Sequence, residues 1–247
     1  MHPKKGELGS PFFVVQKRPQ VYTVAMETRI YAEDISAYLE PGASSSLIEL
    51  LPSHRRKAVM RYRQEADRAR GAAAFLLLKK ALMPLGISDI EFELGEHKKP
   101  YIKGQKGIYF NLSPSGSFVM CCVSGSECGC DVQEIEKPLD QIARRFFSPD
   151  ETAYLSELTE DRRLIESYRI WAMKESFIKA TGEGMSRDLQ TFSVLEERIE
   201  DHYIRSYEAA EGYAFACCIK GSPPPDGIIT GCFSCPDSPS VDSINHK

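Results

Sequence analysis

The sequence lacks a large excess of charge of either sign. Its 31 Lys and Arg residues nearly balance 35 Asp and Glu residues, which gives a formal net charge of −4. It therefore has no electrostatic footprint for nucleic acid. It also lacks an apolar run of membrane-spanning length, and the apolar stretch from Pro11 to Val15 is too short for a secretory signal. We expect a cytoplasmic enzyme with neither nucleic-acid nor membrane partners.

Paired cysteine motifs of the kind that hold zinc are missing too. The only C-x-x-C is Cys232 to Cys235, and no second pair accompanies it. The Cys121–Cys122 and Cys217–Cys218 pairs lie inside apolar, strand-like runs. Adjacent residues of a strand point to opposite faces, so these cysteines are expected to pack as small hydrophobic side chains. Reduced thiols in a reducing compartment are the better interpretation.

The hydrophobic periodicity that is present predicts an α+β chain. Strands are predicted over residues 21–35, 90–94, 108–112, 117–124, 191–195, 202–207 and 213–220. Helices are predicted over residues 44–51, 54–62, 66–85, 139–146, 149–158 and 161–181. The prolines at 223–225 mark the end of the last strand.

An internal echo divides the chain. The run from Val119 to Gly125 resembles the run from Phe215 to Gly221, and each follows a helix–strand order. This predicts a pseudo-twofold pair of similar α+β subdomains, residues 20–126 and 127–235, with the ligand site in the cleft between them. Residues 1–19 are expected to be a loose leader and residues 236–247 a disordered tail.

One predicted helix carries an unusual pair of charges. Trp171, Glu175 and Lys179 are spaced i, i+4 and i+8, so they share one side of the helix. Ile170, Met173, Phe177 and Ala180 form an apolar line that would bury the helix between layers. An ordinary intrahelical Glu175–Lys179 pair is one explanation of this pattern. A reactive site is the other.

A second stretch supplies possible partners for that helix. The segment from Cys128 to Glu136 has the pattern of a strand running into polar residues. Asp131 and Gln133 lie two apart, so their side chains share one face of the strand. Together with Glu175 they offer three hard oxygen ligands of the kind that Mg²⁺ uses when it also binds phosphate.

These stretches resemble the signature of the 4'-phosphopantetheinyl transferases. The matching segments are Gly129-Cys130-Asp131, Arg145-Phe146-Phe147-Ser148-x-x-Glu151 and Trp171-x-x-Lys174-Glu175-Ser176-Phe177-x-Lys179. Phe110-Asn111-Leu112-Ser113 and His97-Lys98-Lys99-Pro100 extend the resemblance. Their order and spacing are similar to those of the Sfp type, the one-chain enzymes that activate peptide synthetases.

The resemblance implies transfer of 4'-phosphopantetheine from coenzyme A to a serine of an apo acyl or peptidyl carrier protein, with release of 3',5'-ADP. It also implies two α+β halves with coenzyme A across their interface. Glu175 and Lys179 are the implied catalytic residues, and Mg²⁺ would lie on Asp131, Gln133 and Glu175. The residues implied to contact coenzyme A are Arg55, Arg70, Lys99, Ser113, Asp131 and Lys179. We expect the enzyme to be a monomer.

The chain departs from the family pattern at three positions. Pro114 stands where the family usually has a histidine that contacts a coenzyme A phosphate, and proline offers no donor. Ala58 occupies a second position that is usually basic. Gln133 replaces a glutamate found in many relatives, which removes one negative charge from the metal site.

Two other functions remain open from the sequence. Pro114 suggests a degenerate protein that binds carriers or coenzyme A without turnover, and a Mg²⁺-dependent hydrolase of coenzyme A is chemically close. Retention of Asp131, Glu175 and Lys179 argues against a mere binder. A carrier would need a docking surface, for which Arg144 to Phe147 combine positive charge with apolar anchors. One of the two phenylalanines is expected to close the core instead.

Overall fold

The computed structural model describes residues 26–95 and 99–232. Its helices are α1 (Ser44–Glu49), α2 (Ser53–Val59), α3 (Glu65–Leu82), α4 (Asp140–Phe146), α5 (Pro149–Ser156) and α6 (Glu160–Thr181). Its strands are β1 (Arg29–Asp34), β2 (Phe92–Leu94), β3 (Pro100–Ile102), β4 (Tyr109–Ser115), β5 (Phe118–Ser124), β6 (Cys128–Glu134), β7 (Arg198–Ile199), β8 (His202–Tyr207), β9 (Tyr213–Lys220) and β10 (Ile229–Cys232). The mixture of helices and largely antiparallel sheets confirms the α+β prediction.

One four-stranded sheet has the order β10-β1-β5-β4, and we call this sheet and the helix packed on it the first half of the structure. Helix α3 covers one face of this sheet, and its buried side is rich in alanine, including Ala69, Ala72 and Ala73. Alanine favours the helix and lets it lie close to the sheet. Strands β4 and β5 form a hairpin whose turn contains Gly116 at φ 53°. A separate two-stranded ribbon of β2 and β3 lies beside them.

The second half repeats the use of one long helix on a four-stranded sheet, here in the order β6-β9-β8-β7. Helix α6 buries Ile170, Phe177 and Ala180 in a core shared with Ile204 and Cys218 of the sheet. The apolar line predicted for this helix is therefore its core face. Helix α6 ends at Gly182, whose left-handed φ of 75° suits a glycine cap.

The two sheets pack against each other through a hydrophobic core. Ile30, Met120 and Cys122 of the first sheet meet residues of the second that include Phe215 and Cys217. All six described cysteines outside β10 are free and buried, which for Cys121, Cys122, Cys217 and Cys218 confirms the predicted packing as small hydrophobic side chains. The Cys217 thiol donates a hydrogen bond to the Cys122 Sγ at 3.6 Å across this interface.

The strand predicted over residues 191–195 is wrong. The segment instead begins with a single 3-10 turn, Leu189–Thr191, and continues without a strand. Its backbone is bound by side chains rather than by a neighbouring strand: Lys174 donates to two of its carbonyl oxygens, and Glu151 accepts from the N–H of Val194. The predicted strand over 21–35 is shorter, Arg29–Asp34, and residues 21–25 lie outside the described part of the chain.

The polypeptide crosses between the halves once more near its end. After the prolines at 223–225, β10 returns to the first sheet and pairs in parallel with β1. The Tyr207 hydroxyl donates to the Pro225 carbonyl on the way, at 2.8 Å. The division into two subdomains at residue 126 and their pseudo-twofold relation stay predictions. The predicted leader, residues 1–19, and the predicted tail, residues 236–247, lie outside the described residues. Among the described helices, none has the length and apolar character needed to cross a membrane.

Candidate active site

Asp131 is the centre of a polar cluster where the two halves meet. Its side chain is buried on β6, and Ser113 on β4 of the other half donates to its Oδ1 at 2.7 Å. The Lys179 ammonium lies 2.5 Å from the same oxygen, while the Gln133 amide nitrogen donates to Oδ2 at 2.7 Å. Strand β6 thus presents Asp131 and Gln133 on one face, as their spacing predicts.

Lys179 reaches this cluster from α6. Its ammonium also donates to the Ser113 hydroxyl at 3.1 Å and to the Cys130 carbonyl at 3.3 Å. Burial opposes its charge, but the attraction of Asp131 and their hydrogen bond outweigh burial and raise the pKa of Lys179. The ammonium is therefore a fixed positive charge at the centre of the cleft.

Glu175 lies one turn before Lys179 and is half-buried. Burial raises the pKa of the Glu175 carboxyl, the negative charge of Asp131 raises it further, and Lys179 lowers it. The electrostatic coupling to both residues indicates that Glu175 shares their cleft. The alternative of an isolated surface Glu175–Lys179 pair does not describe this arrangement, since Lys179 donates to Asp131 and Ser113.

This group has the chemistry of a magnesium site. Two carboxylates and an amide meet in a partly buried cleft, and the amide nitrogen of Gln133 is engaged, which leaves its Oε1 for a cation. The mutual repulsion of Asp131 and Glu175 would be relieved by a divalent ion, so the residues fit one. A different acidic group, Glu200 with Asp201 and His202, lies at the β7–β8 turn, where Glu200 is already paired with Arg187.

A close backbone approach holds α6 against the strand that carries Asp131. Gly129 on β6 lies directly under the helix, and an added Cβ there would collide with the Ser176 carbonyl oxygen and the Ala180 nitrogen. A glycine at this position therefore lets α6 lie close enough to β6 for Lys179 and Glu175 to approach Asp131.

A buried ion pair between Lys174 and Glu151 lies on the other side of α6. Both residues belong to the family signature quoted above, but the sequence alone assigns neither of them a role. Lys174 and Glu151 are both fully buried, with 3.0 Å between charged atoms. Glu151 also accepts from the Ser148 N–H, which completes a capping box at the start of α5. Burial lowers the pKa of Lys174, and the charge of Glu151 opposes that shift. The Ser-x-x-Glu spacing of Ser148 and Glu151 is the sequence pattern that indicates the capping box.

The predicted coenzyme A contacts fall at different places. Arg55 is half-buried between the rings of Phe75 and Phe92, 5.0 and 5.1 Å from their centroids. Its Nε is buried without a hydrogen-bond partner among the described residues, and burial lowers the pKa of Arg55. Arg70 donates to the Gly116 carbonyl at 2.8 Å and pairs with Asp67.

Arg70 and Pro114, the residue that departs from the family pattern, line the same cavity. This cavity of about 420 Å³ lies at the β4–β5 turn, and its walls include Tyr62, Gly71 and Ser115. Pro114 itself is exposed.

Lys99 is not part of the Asp131 cluster. Its side chain is buried, and its ammonium donates to the Ala180 carbonyl at 2.7 Å and the Cys128 carbonyl at 3.4 Å. It thus satisfies an orphan carbonyl at the end of α6. Burial lowers the pKa of Lys99, an effect opposed by nearby thiols and Glu127. The neighbouring His97 and Lys98 lie outside the described residues.

The predicted docking segment contains both a core and a surface residue. Phe147 is buried in the core of the second half. Phe146 is half-buried and packs on Trp171 at 5.4 Å between ring centroids, and the Arg145 guanidinium lies over the Phe146 ring, 5.1 Å from its centroid. Trp171 therefore acts as a packing residue for α6. Arg144 and Lys137 line a neighbouring surface cavity of about 490 Å³.

Comparison with known proteins gives consistent matches. A model of the 4'-phosphopantetheinyl transferase superfamily matches residues 127–224. A 4'-phosphopantetheinyl transferase of Bacillus subtilis is 32% identical over 217 residues, which cover 81% of this chain and 96% of that protein. The 4'-phosphopantetheinyl transferase Sfp of Bacillus subtilis (strain 168) is 29% identical with the same coverages. The 4'-phosphopantetheinyl transferase psf-1 of Bacillus pumilus is 31% identical over 78% of this chain and 90% of that protein.

Proposed function

The chain belongs to the 4'-phosphopantetheinyl transferase superfamily and to its Sfp type, and from this membership we propose that it transfers 4'-phosphopantetheine from coenzyme A to a serine of an apo acyl or peptidyl carrier protein. One observation carries the proposal to particular residues. Asp131, Ser113 and Lys179 are hydrogen-bonded to one another where the two halves meet, beside Gln133 and Glu175. Such a cluster of fixed charges suits phosphoryl transfer, which depends on positioning and charge neutralisation.

We propose Asp131, Gln133 Oε1 and Glu175 as ligands of Mg²⁺. When bound there, the ion would offset the negative charge of the pyrophosphate and of the transition state. The proposal is supported by the hard-oxygen donor set and by the repulsion between the two carboxylates. Ser113 and Lys179 keep Oδ1 of Asp131 in a defined orientation before any ion is bound.

The proposed reaction forms one bond and breaks one. The carrier serine oxygen attacks the phosphorus that bears the pantetheine arm, and the bond from that phosphorus to the bridging oxygen of the pyrophosphate breaks. The carrier gains phosphopantetheine, and 3',5'-ADP leaves with the bridging oxygen. Glu175 takes the serine proton directly or through a water molecule. Lys179 offsets the charge of the leaving phosphate.

We propose that coenzyme A lies across the two halves, in contact with Arg55, Arg70, Ser113, Asp131 and Lys179. The unpartnered Nε of Arg55 and the cavity beside Arg70 support this path. Lys99 was expected to contact the pyrophosphate. Its hydrogen bonds to two backbone carbonyls favour an indirect contribution, in which it holds the end of α6 and thereby Lys179.

For the carrier we propose a docking surface formed by Arg144, Arg145 and Phe146. Its exposed guanidinium groups suit an acidic helical partner, and Phe146 supplies the apolar contact. Phe147 is left out because it lies in the core. A peptidyl carrier of secondary metabolism is the partner that the Sfp type suggests. A cytoplasmic location accords with the free buried thiols, and a monomer is proposed for test by light scattering.

The experiment is to incubate the protein with coenzyme A, Mg²⁺ and several apo carriers, and to measure intact carrier mass. A gain of one phosphopantetheine group supports transfer. Formation of 3',5'-ADP with no gain on any carrier would indicate the hydrolase, and neither product would indicate a binding protein. The family match and the intact cluster favour the first result.

A further inference from the structure

Strand β4 carries an acceptor side chain at every second position. These side chains accept hydrogen bonds from the backbone N–H groups of alternate residues on β6. The pairs are Asn111 Oδ1 with Cys130 at 2.9 Å, Ser113 Oγ with Val132 at 3.3 Å and Ser115 Oγ with Glu134 at 3.0 Å. We call this set the seam.

The seam supplies hydrogen-bond acceptors to backbone N–H groups at the free edge of β6. Strand β6 pairs with β9 along one edge and ends its sheet, so the N–H groups of its other edge point away from any partner strand. Buried N–H groups require acceptors, and here side chains of the neighbouring sheet provide them. The face of β4 that carries the seam lies over the otherwise apolar core between the sheets.

The spacing also fixes how far β6 can slide along β4. The side-chain period of a strand is two residues, so a shift by one residue would bring Leu112 and Pro114 opposite the N–H groups. Neither side chain has an acceptor. A shift by one residue would therefore break all three hydrogen bonds, so the seam favours the observed register between the halves.

That register joins the two parts of the proposed active site. Strand β6 carries Asp131 and Gln133, whereas β4 carries Pro114, which lines the cavity beside Arg70. Within the described part of the chain no backbone ladder links the two strands, because β4 pairs there with β5 alone and β6 with β9 alone. The relative position of the metal ligands and the donor cleft is left to side chains.

We propose that Asn111 and Ser115 are positioning residues of the transferase site, which hold the strand of Asp131 and Gln133 in register with the donor cleft. The inference rests on the proposed function for the identity of the metal and donor. Ser113, the middle member, touches Asp131 and Lys179 directly and is not used to test it.

Ser115→Ala is expected to fold, because a second contact holds the same end of the seam. The Tyr213 hydroxyl donates to Glu134 Oε1 at 3.0 Å and accepts from the Ser117 N–H at 2.9 Å. The variant thus removes one acceptor without releasing the β4–β5 hairpin. Asn111→Ala, at the other end of the seam, is the second variant.

The matched control is Ser124→Ala. Ser124 is a buried serine of the same sheet, and its hydroxyl bonds to Thr28 at 2.8 Å and accepts from the Ser126 N–H at 3.2 Å. It makes no hydrogen bond to β6 among those of the described residues. Ser115→Thr, which keeps the hydroxyl, is the rescue variant.

The test measures the affinity for Mn²⁺, a paramagnetic substitute for Mg²⁺, by electron paramagnetic resonance, together with thermal stability and transfer. Ser115 lines the donor cavity, so the KM for coenzyme A alone would not separate positioning from direct contact. Mn²⁺ affinity does. Loss of one hydrogen bond predicts a Kd raised about two- to tenfold in Ser115→Ala and Asn111→Ala, near-normal affinity in Ser115→Thr, and no change in Ser124→Ala despite a similar fall in Tm.

Two results would overturn the inference. Unchanged Mn²⁺ affinity in both seam variants of an active enzyme would remove the positioning role and leave the proposed function standing. An equal loss in Ser124→Ala would show general destabilisation instead. A wild-type protein that neither binds Mn²⁺ nor modifies any carrier would overturn the proposed function and the inference together.

Discussion

At the scale of single residues, Glu175 has the most demanding proposed role, as both base and metal ligand. Glu175→Gln keeps the shape of the side chain but removes its charge. We expect transfer to fall about a hundred- to ten-thousandfold, with the fold intact. Single-turnover transfer and circular dichroism check this. Glu160→Gln, at the exposed start of the same helix, should retain full activity. Near-normal turnover of folded Glu175→Gln would contradict the mechanism.

Gln133 tests the composition of the metal site. Gln133→Glu adds a carboxylate, so the Mg²⁺ concentration for half-maximal rate should fall by about tenfold. The new side chain cannot donate to Asp131 as the amide does, and two carboxylates would face each other without the ion. The Tm of the metal-free variant should therefore drop and recover on addition of Mg²⁺. An unchanged Mg²⁺ dependence would mean that Gln133 does not reach the metal.

Pro114 tests the donor cleft. If a phosphate contact is missing at this position, Pro114→His should lower the KM for coenzyme A about ten- to a hundredfold, the value of one hydrogen bond to a charged group. Pro114 is exposed and lines the cavity beside Arg70, so a histidine has room to reach a ligand there. Titration of coenzyme A against both proteins measures the difference. Equal affinities would show that another group, such as His97 or Lys98, already makes the contact.

At the scale of secondary-structure elements, the closeness of α6 to β6 depends on Gly129. A methyl group there would press on the helix backbone at Ser176 and Ala180, which cannot yield without moving Lys179. We expect Gly129→Ala to destabilise the protein by about 1–3 kcal/mol and to impair transfer. Thermal unfolding checks the first effect. Gly227→Ala is the control, since an added Cβ at Gly227 meets nothing within 4 Å, and it should match the wild type.

Some elements follow from the sequence because their patterns are local. Strands β8 and β9 have the predicted bounds, and α6 begins one residue before its predicted start. The strand predicted over residues 191–195 failed because tertiary contacts decide that segment, where Lys174 and Glu151 bind its backbone. Strand β10 was not predicted, since β1, with which it pairs, lies almost the whole chain away.

In the candidate site, too, some features follow from local sequence patterns and others depend on tertiary packing. The shared face of Asp131 and Gln133 follows from a period of two, and the Glu175–Lys179 line follows from helical pitch. The hydrogen bond from Ser113 to Asp131 could not be predicted, because it depends on how two separate sheets meet. The position of Lys99 under the end of α6 depends on the same packing.

At the scale of the whole molecule, the two halves are joined in three ways. An apolar core lies between the sheets, the seam links β4 to β6, and β10 returns to the first sheet. The Asp131 cluster lies at this junction and draws Ser113 from one half and Lys179 from the other. The site therefore needs both halves in one fixed arrangement.

The most direct test of the central claim is to count both products of one reaction. Wild-type protein, coenzyme A, Mg²⁺ and an apo peptidyl carrier are combined, and modified carrier and 3',5'-ADP are quantified together by mass spectrometry and chromatography. The account predicts one 3',5'-ADP for each carrier that gains phosphopantetheine on serine, and neither product when Mg²⁺ is chelated. Release of 3',5'-ADP without modified carrier, or equal yields with and without Mg²⁺, would contradict it.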